Sequence, residues 1–550
     1  MQMLSGLDAS FLYLESAQMP MHVGALHWLE LPASYRGDFL ADLRWHMASR
    51  VPLAKALRRK PAMMPLNLAS PAWLGDEPDI EQHVVGIRLR RGSGLAELQR
   101  QVGRLHVVLL DRDRPLWKFH LFDGLRDAAD GSKRYALYTQ LHHAAVDGQA
   151  AVALAQAILD LTPEPRDIPE APTRERKGQF GVAEMLRGAL ANQLDQVGKL
   201  VKALPGAVGM LGQAAATGAG PAVSSGLKAL MAQFTGASAS AAATRGKGVK
   251  NFGLAPRTRL NATVSAGRAF AAVSLPLDEL NAVRRRHQAS LNDALLMICS
   301  GALRRYFQEH GPLPRKSLVA AVPISLRAKG DTAANNQASI TLMSLGTHIA
   351  DPAQRLAHVL AASASMKNTV GNVKNLLPTD FPSMGVPWLL QGVTALASRS
   401  RWAEKLPTVA NLTISNVPGP TVSLYIAGAR LLSFYPASIV THGLALNITV
   451  QSYNGSLDFG LMACAEAMPD VGKLAQQLRM AFAEFAALPA TATTATPVTP
   501  SPPPMPATAK PARAIAQRRA KAGPAGTTAQ AQRRVGGSRA KAPIARRGSS

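Results

Sequence analysis

Residues 445–463, ALNITVQSYNGSLDFGLMA, restrict the possible folds more than any other stretch of the chain. Asn454-Gly455 separates two runs rich in β-branched and aromatic residues, and Asn-Gly is the strongest short-range signal for a two-residue hairpin turn. An antiparallel strand pair is expected there. Upstream, LNDALLMICSGALRRYFQEHG (291–311) reads as a helix closed at its C-terminal end by Gly311. Nearer the start, KRYALYTQLHH (133–143) alternates as a strand does, with Tyr135, Leu137, Thr139 and Leu141 on one face and Ala136, Tyr138 and Gln140 on the other. GQAAVALAQAILDL (148–161) follows with helical periodicity, and Asp147 precedes it as a natural N-cap. Strands and helices mix in both halves, so the expectation is an α+β chain with two domains of similar size.

Shifts in composition place the boundaries. Residues 1–165 form an N-terminal domain and 257–488 a C-terminal one. Between them, 166–256 is rich in Ala, Gly, Lys and Arg and reads as an inter-domain connection. Its segment 184–211 carries Met185, Leu186, Leu190, Leu194, Val197 and Leu200 at helical spacing, ending near Pro205. That helix is expected to pack on the body, with membrane docking as the other reading. The stretch 236–248, GASASAAATRGKG, reads as mobile. Residues 489–550 are a Pro/Ala-rich tail without hydrophobic period, expected to be disordered.

Charge is distributed unevenly. The tail holds eleven Lys and Arg and no acidic residue, which leaves +15 on residues 1–488 out of a net +26. Both parts are drawn to anionic lipid headgroups or phosphorylated substrates such as coenzyme A. The tail lacks aromatics, so weak, salt-sensitive polyanion binding is compatible with it and specific nucleic-acid recognition is not. A solvated tail with no specific role fits equally well. Cys299 and Cys464 are the only cysteines, without a Cys-x-x-Cys or paired histidines, which argues against a disulfide framework or a structural zinc site. The N-terminus lacks a basic region and carries Asp8 and Glu15, unlike a signal peptide. Greasy runs such as 385–397 fall short of the roughly 18 apolar residues a spanning helix needs. Any membrane contact is therefore expected to be peripheral, on a cytoplasmic protein.

The chemistry centres on His142-His143-Ala144-Ala145-Val146-Asp147-Gly148. Adjacent strand residues point to opposite faces, so only one histidine can face a given cavity if both lie on the strand. A neutral imidazole suits proton removal from a hydroxyl near neutral pH. Asp147 can fix the local geometry and Gly148 lets the chain turn tightly. No third histidine or acidic residue stands at ligand spacing, so no metal is expected. A hydrolase would need a Gly-x-Ser-x-Gly nucleophile elbow, and none is present.

HHAAVDG resembles the His-His-x-x-x-Asp-Gly signature of the coenzyme A-dependent acyltransferase superfamily, which includes chloramphenicol acetyltransferase-like enzymes and peptide-synthetase condensation domains. Further segments narrow the resemblance to the bacterial wax ester synthase/diacylglycerol acyltransferase family: LSGLDASFLYLESAQMPMHVG (4–24), Pro115-Leu116-Trp117, Asn292-Asp293, Asn416-Val417-Pro418-Gly419-Pro420, and 435–455. These run in order over about residues 1–488, and the tail lies outside them.

The resemblance implies two chloramphenicol acetyltransferase-like domains with the active site at their interface. It implies His143 as general base, with His142, Asp147, Gly148 and Asn292 in support, Asn292 as an oxyanion helper. Pro115, Leu116 and Trp117 would either pack the core or line an acyl pocket. Asn416, Pro418 and Gly419 form a rigid turn whose contact with coenzyme A is open. The implied substrates are acyl-CoA and a diacylglycerol or long-chain alcohol, with no cofactor, at a membrane or lipid-inclusion surface. Two alternatives stand beside this: a condensation-type enzyme with another acceptor, and a non-catalytic lipid-inclusion or polyanion binder using its tail.

Overall fold

The Asn454-Gly455 hairpin forms as its sequence requires. Strands β15 (Leu446–Tyr453) and β16 (Ser456–Cys464) pair antiparallel, with Tyr453 opposite Ser456. Asn454 and Gly455 both take positive φ, 41° and 81°, as the turn that matches the strands' twist demands. The structure is a computed structural model that describes residues 2–64, 70–146, 148–168, 255–325, 338–373 and 407–490. Asp147, most of the connection (including the helix expected at 184–211 and the stretch 236–248), residues 385–397 and the tail from 491 lie outside the described residues. By its internal contacts the chain divides into Met1–Thr491 and Ala492–Ser550, and every element below belongs to the first unit.

Around the hairpin a six-stranded mixed sheet is built in the order β10-β9-β11-β15-β16-β8, from β8 (Arg268–Pro276), β9 (Val319–Ser325), β10 (Ala338–Ser344) and β11 (Leu412–Val417). Helices α6 (Leu277–Arg286), α7 (Leu291–Glu309), α8 (Pro352–Val373) and α9 (Val471–Ala486) belong to this half. The expected helix from 291 is α7. Its first turn is closed by a reciprocal capping box between Ser290 and Asp293, and Gly311 beyond its end takes φ 134°. Leu295, Ile298 and Tyr306 of α7 share a fully buried core with Ile448, Phe459 and Leu474.

The N-terminal half has its own sheet. Strands β2 (His22–Leu31), β5 (Val84–Ser93), β6 (Trp117–Leu125) and β7 (Lys133–His142) lie in the order β2-β7-β6-β5. The first three are antiparallel neighbours, and β5 runs parallel to β6. A small sheet joins β1 (Gln2–Met3), β4 (Ala72–Gly75) and β3 (Arg59–Ala62). The helices are α1 (Gly6–Leu14), α2 (Phe39–Arg50), α3 (Ile80–His83), α4 (Leu95–Leu105) and α5 (Gly148–Ile158).

The two halves are interleaved. Residues 425–437, between β11 and the hairpin, leave their own sheet and supply β12 (Tyr425–Ile426), β13 (Ala429–Leu431) and β14 (Tyr435–Ala437) to the other. Strands β13 and β14 both pair with the free side of β2. Tyr425 also forms a bridge with Asp160 just after α5. A core cluster spans both sheets, with Val102, Phe122 and Tyr138 meeting Phe270, Tyr435 and Met462. Among the described residues no helix is long and apolar enough to cross a membrane.

Candidate active site

Strand β7 ends one residue earlier than its sequence pattern predicts. His142 is its last residue, paired with His22 of β2, and is fully buried. His143 has already left the strand and begins a turn over 143–145. The two histidines therefore differ by position rather than by strand alternation: His142 is buried, while His143 stands half-buried on the turn. The His142 N–H donates to the carbonyl of Leu116 (3.0 Å), and the His143 N–H donates to the carbonyl of Met21 (2.8 Å).

Helix α1 forms the platform beside this turn. Ser5 caps its start, accepting the Asp8 N–H, and Glu15 ends it. The helix is apolar because it packs Leu12 and Tyr13 against Leu110, Leu116 and Ala144. From it the Phe11 ring lies on the His143 imidazole, centroids 4.1 Å apart and planes 17° from parallel.

One residue past α1, Glu15 turns back under the strand end. Its Oε1 lies 3.2 Å from His142 Nε2 with both side chains out of solvent, and it accepts the Met21 N–H at 3.3 Å. Its Oε2 pairs with Arg112 at 2.9 Å, and Arg112 also donates to the carbonyl of Leu12. Burial alone would raise the pKa of Glu15. Hydrogen bonding and charge from His142 and Arg112 outweigh burial and bring it down to about 2. On the other side of the ring, the Ala144 N–H donates to His142 Nδ1 at 3.1 Å. In the neutral ring the proton therefore sits on Nε2, facing the carboxylate.

Behind His142 lies a buried polar layer. His22 Nε2 meets the carbonyl of His106 at 2.5 Å, and His106 Nδ1 meets the Tyr138 hydroxyl at 2.6 Å. Gln140 bridges His120, His22 and the carbonyl of Leu105. Burial lowers His22 and His120 to about 4, against partial opposition from their hydrogen bonds, and lowers His106 well below its ordinary value.

The remaining residues singled out by sequence occupy distinct places. Leu116 and Trp117 are each 1% exposed. Leu116 packs on α1, and Trp117 donates through Nε1 to the carbonyl of Leu57 and stacks on His83, so this pair is core. Pro115 borders a surface hollow of about 380 Å³ rimmed by Asp76, Glu77, Asp79, Asp111 and Asp113. Those carboxylates repel phosphates, which disfavours the hollow as a coenzyme A site. Asp293 is the N3 partner of the α7 capping box, and Asn292 sits beside it, partly exposed. Asn416 lies on β11 opposite Val450. The Gly419 N–H donates to Ser452 Oγ, and a Cβ at Gly419 would lie 2.0 Å from the Ser452 carbonyl oxygen, so Asn416–Pro420 is clamped to the hairpin. Among the described residues no hydrogen bond joins Asn292, Asn416 or Gly419 to His143. Gly148 begins α5, and Asp147 lies outside the described residues. Among the described residues no cluster of three or more His, Cys, Asp or Glu is arranged to hold a metal ion.

Sequence reasoning did not assign Phe11, Glu15, Met21 or Arg112 to the site. The available signal was Glu15 itself, the one acidic residue between Asp8 and Glu30, at the end of an apolar helix.

Comparison with known proteins bears on this geometry. Residues 4–295 match the family model described as the wax ester synthase/diacylglycerol acyltransferase catalytic domain, and 334–486 match the WS/DGAT C-terminal domain. The O-acyltransferase WSD of Acinetobacter baylyi is 33% identical over 479 residues, 87% of this chain and 95% of that protein. A Mycobacterium tuberculosis protein named as a diacylglycerol O-acyltransferase is 34% identical over 482 residues, 88% of this chain and 98% of its own length. The solved wax ester synthase/diacylglycerol acyltransferase from Marinobacter aquaeolei VT8 superposes with a TM-score of 0.59 at 27% identity, covering 88% of this chain and all of that one.

Proposed function

We propose, from the premise that the chain belongs to the wax ester synthase/diacylglycerol acyltransferase family, that His143 is the general base of its acyl transfer. The protein is an O-acyltransferase. It moves a long-chain acyl group from coenzyme A to the hydroxyl of a diacylglycerol, a long-chain alcohol, or both. The observation that carries the role of His143 is its place: on a turn just beyond a buried strand, half-exposed, and backed by the Phe11 ring. Its Nδ1 is enclosed, so Nε2 is the nitrogen assigned to meet the acceptor.

The chemistry follows. Nε2 takes the proton of the acceptor hydroxyl as its oxygen attacks the thioester carbonyl. The tetrahedral oxyanion collapses, the carbon–sulfur bond breaks, and the coenzyme A thiolate leaves with the proton that His143 held. No bond forms between acyl group and enzyme. Asn292 is proposed as an oxyanion donor, and Asp147 as the residue that shapes the turn into α5. The apolar wall of Leu12, Leu110, Leu116 and Ala144 beside the turn supports a greasy substrate, and holding two such reactants together is a large part of the catalysis.

The acceptors reside in lipid, so the protein is read as working peripherally at the inner face of a membrane or at a lipid inclusion. Val108 and Leu109, 58% and 41% exposed next to Leu110, support that reading, as does the basic body. The tail is assigned a salt-sensitive attachment role outside turnover.

The test is ester formation from labelled palmitoyl-CoA with hexadecanol or dioleoylglycerol, beside His143→Ala. Ester and thiol release that vanish in the variant support the base and rank the acceptors. Undiminished ester formation by a folded His143→Ala protein removes His143 from the role.

A further inference from the structure

The Glu15 carboxylate has no part in the reaction as written above, yet its side chain is 1% exposed and negatively charged. Burying a charge is costly unless it is paired, and here both oxygens are engaged, Oε1 by Met21 and His142 and Oε2 by Arg112. The position of Glu15 gives the charge a use. It contacts both supports of the His143 turn: the ring of His142 through Oε1, and the N–H of Met21, whose carbonyl holds the His143 N–H. Arg112 fixes the carboxylate from the opposite side and ties it to α1, the helix that carries Phe11.

We propose that Glu15, paired with Arg112, is the positioning residue of this active site. Its Oε1, 3.2 Å from His142 Nε2, keeps the ring oriented with Nδ1 toward the Ala144 N–H, which keeps the 142–145 turn in shape. Through Met21 it anchors the main chain of His143. Its negative charge favours the imidazolium that His143 becomes as the proton moves. A glutamine has a single acceptor oxygen, so in Glu15→Gln either the buried His142 Nε2 or the Arg112 guanidinium meets an amide NH2, and a flip of the His142 ring breaks the bond from Ala144. The role rests on His143 as general base.

Other groups lie around Glu15 and Arg112: Tyr13 of α1 faces Arg112, and His22 of β2 faces Glu15, with Arg268 of β8 beside His22. Burial keeps Tyr13 protonated and His22 neutral across the working range. Arg268 is spent on the carbonyls of Gln18, Ser265 and Gly267. Among these groups Glu15 supplies the negative charge.

The experiment measures kcat, the KM for palmitoyl-CoA and the pH profile of kcat/KM on the full chain, for wild type, Glu15→Gln, Glu15→Gln/Arg112→Met and His143→Ala. Glu15→Gln is expected to lose about 10- to 100-fold in kcat with KM held within about twofold. Its acid limb moves to lower pH, because the base has lost a charge that favoured its protonated form. In the double variant the unmatched guanidinium is gone, so the melting temperature recovers while kcat and the acid limb do not. Wild-type kcat and acid limb in Glu15→Gln overturn the role. Recovery of kcat together with stability in the double variant also overturns it, leaving the pair purely structural. If Glu15→Gln does not fold, the double variant carries the same comparison. His143→Ala with undiminished turnover brings down the base and the positioning role together. An inactive His143→Ala beside a wild-type-like Glu15→Gln brings down the positioning role alone.

Discussion

The Phe11 ring lies nearly flat on the His143 imidazole, 4.1 Å between centroids, so the orientation of a turn residue is set by a helix 130 positions earlier in the chain. Such a stack contributes about 0.5–1.5 kcal/mol beyond the area it buries. Phe11→Ala should therefore reduce kcat by about twofold to tenfold, with the circular dichroism spectrum unchanged. Wild-type turnover in Phe11→Ala would mean that the stack does not orient the proposed base.

Acid should destabilise the fold well before its carboxylates titrate. Burial holds His22, His27 and His120 at about 4, and His106 lower still, against about 6.5 in an unfolded chain. The folded-state values are depressed, so the unfolded state binds more protons once pH drops below 6.5. The stability these groups give is complete above 6.5 and is lost as pH falls from there toward 4, by up to about 1.4 kcal/mol per pH unit for each histidine. Glu15, held at about 2, adds its own loss only below its ordinary carboxylate range near 4.5. Melting temperatures at pH 7.5 and 5.5 check this, and equal values contradict it.

Arg50 and Asp160 form a buried ion pair, with Arg50 Nη2 3.1 and 2.9 Å from the two carboxylate oxygens and exposures of 1% and 3%. Asp160→Asn leaves the guanidinium buried without its counter-charge, a loss of about 3–5 kcal/mol. Urea denaturation reads it directly. A loss below about 1 kcal/mol would show that water or a second acceptor compensates Arg50.

Gly460 of β16 faces the backbone of β14. A Cβ there would come within 1.6 Å of the Pro436 carbonyl oxygen, and a backbone atom cannot swing aside. Gly460→Ala should cost about 3 kcal/mol or more or prevent soluble expression. Gly472 in α9 has nothing within 4 Å of its would-be Cβ, so Gly472→Ala is the matched control, expected to be neutral or stabilising by about 0.5 kcal/mol. Equal behaviour of the two variants would contradict the close approach.

What the sequence made legible was local. The hairpin at 454–455, the capped helix from 291 and the strand running into His142 each depend on neighbours a few residues apart, so turn chemistry and periodicity reveal them. The resemblance of HHAAVDG and the ordered blocks pointed to 142–148, the segment that holds the proposed base. The partners of that centre were not legible. Phe11, Glu15, Met21 and Arg112 converge on 142–143 from 30 to 130 residues away, and no period in the chain encodes that meeting. The one-residue early end of β7 was equally hidden, because Leu141, His142 and His143 continue the alternation while the backbone turns away. Nor does residue pattern separate a Trp117 that packs against Leu57 and His83 from one that lines a pocket. The departure of 425–437 to another sheet leaves no local trace, since short strands read the same in either sheet.

That departure dictates an order of events during synthesis. The edge of β2 that accepts β13 and β14 is made within the first 31 residues, and its partners are roughly four hundred residues later. At about 5–20 residues per second, a ribosome carries the nascent chain for on the order of tens of seconds with that backbone edge uncovered. An open strand edge is a template for pairing with another chain, so this stretch of translation is when a chaperone has the most to shield. The sheet that ends at His142 is completed only when the C-terminal quarter emerges.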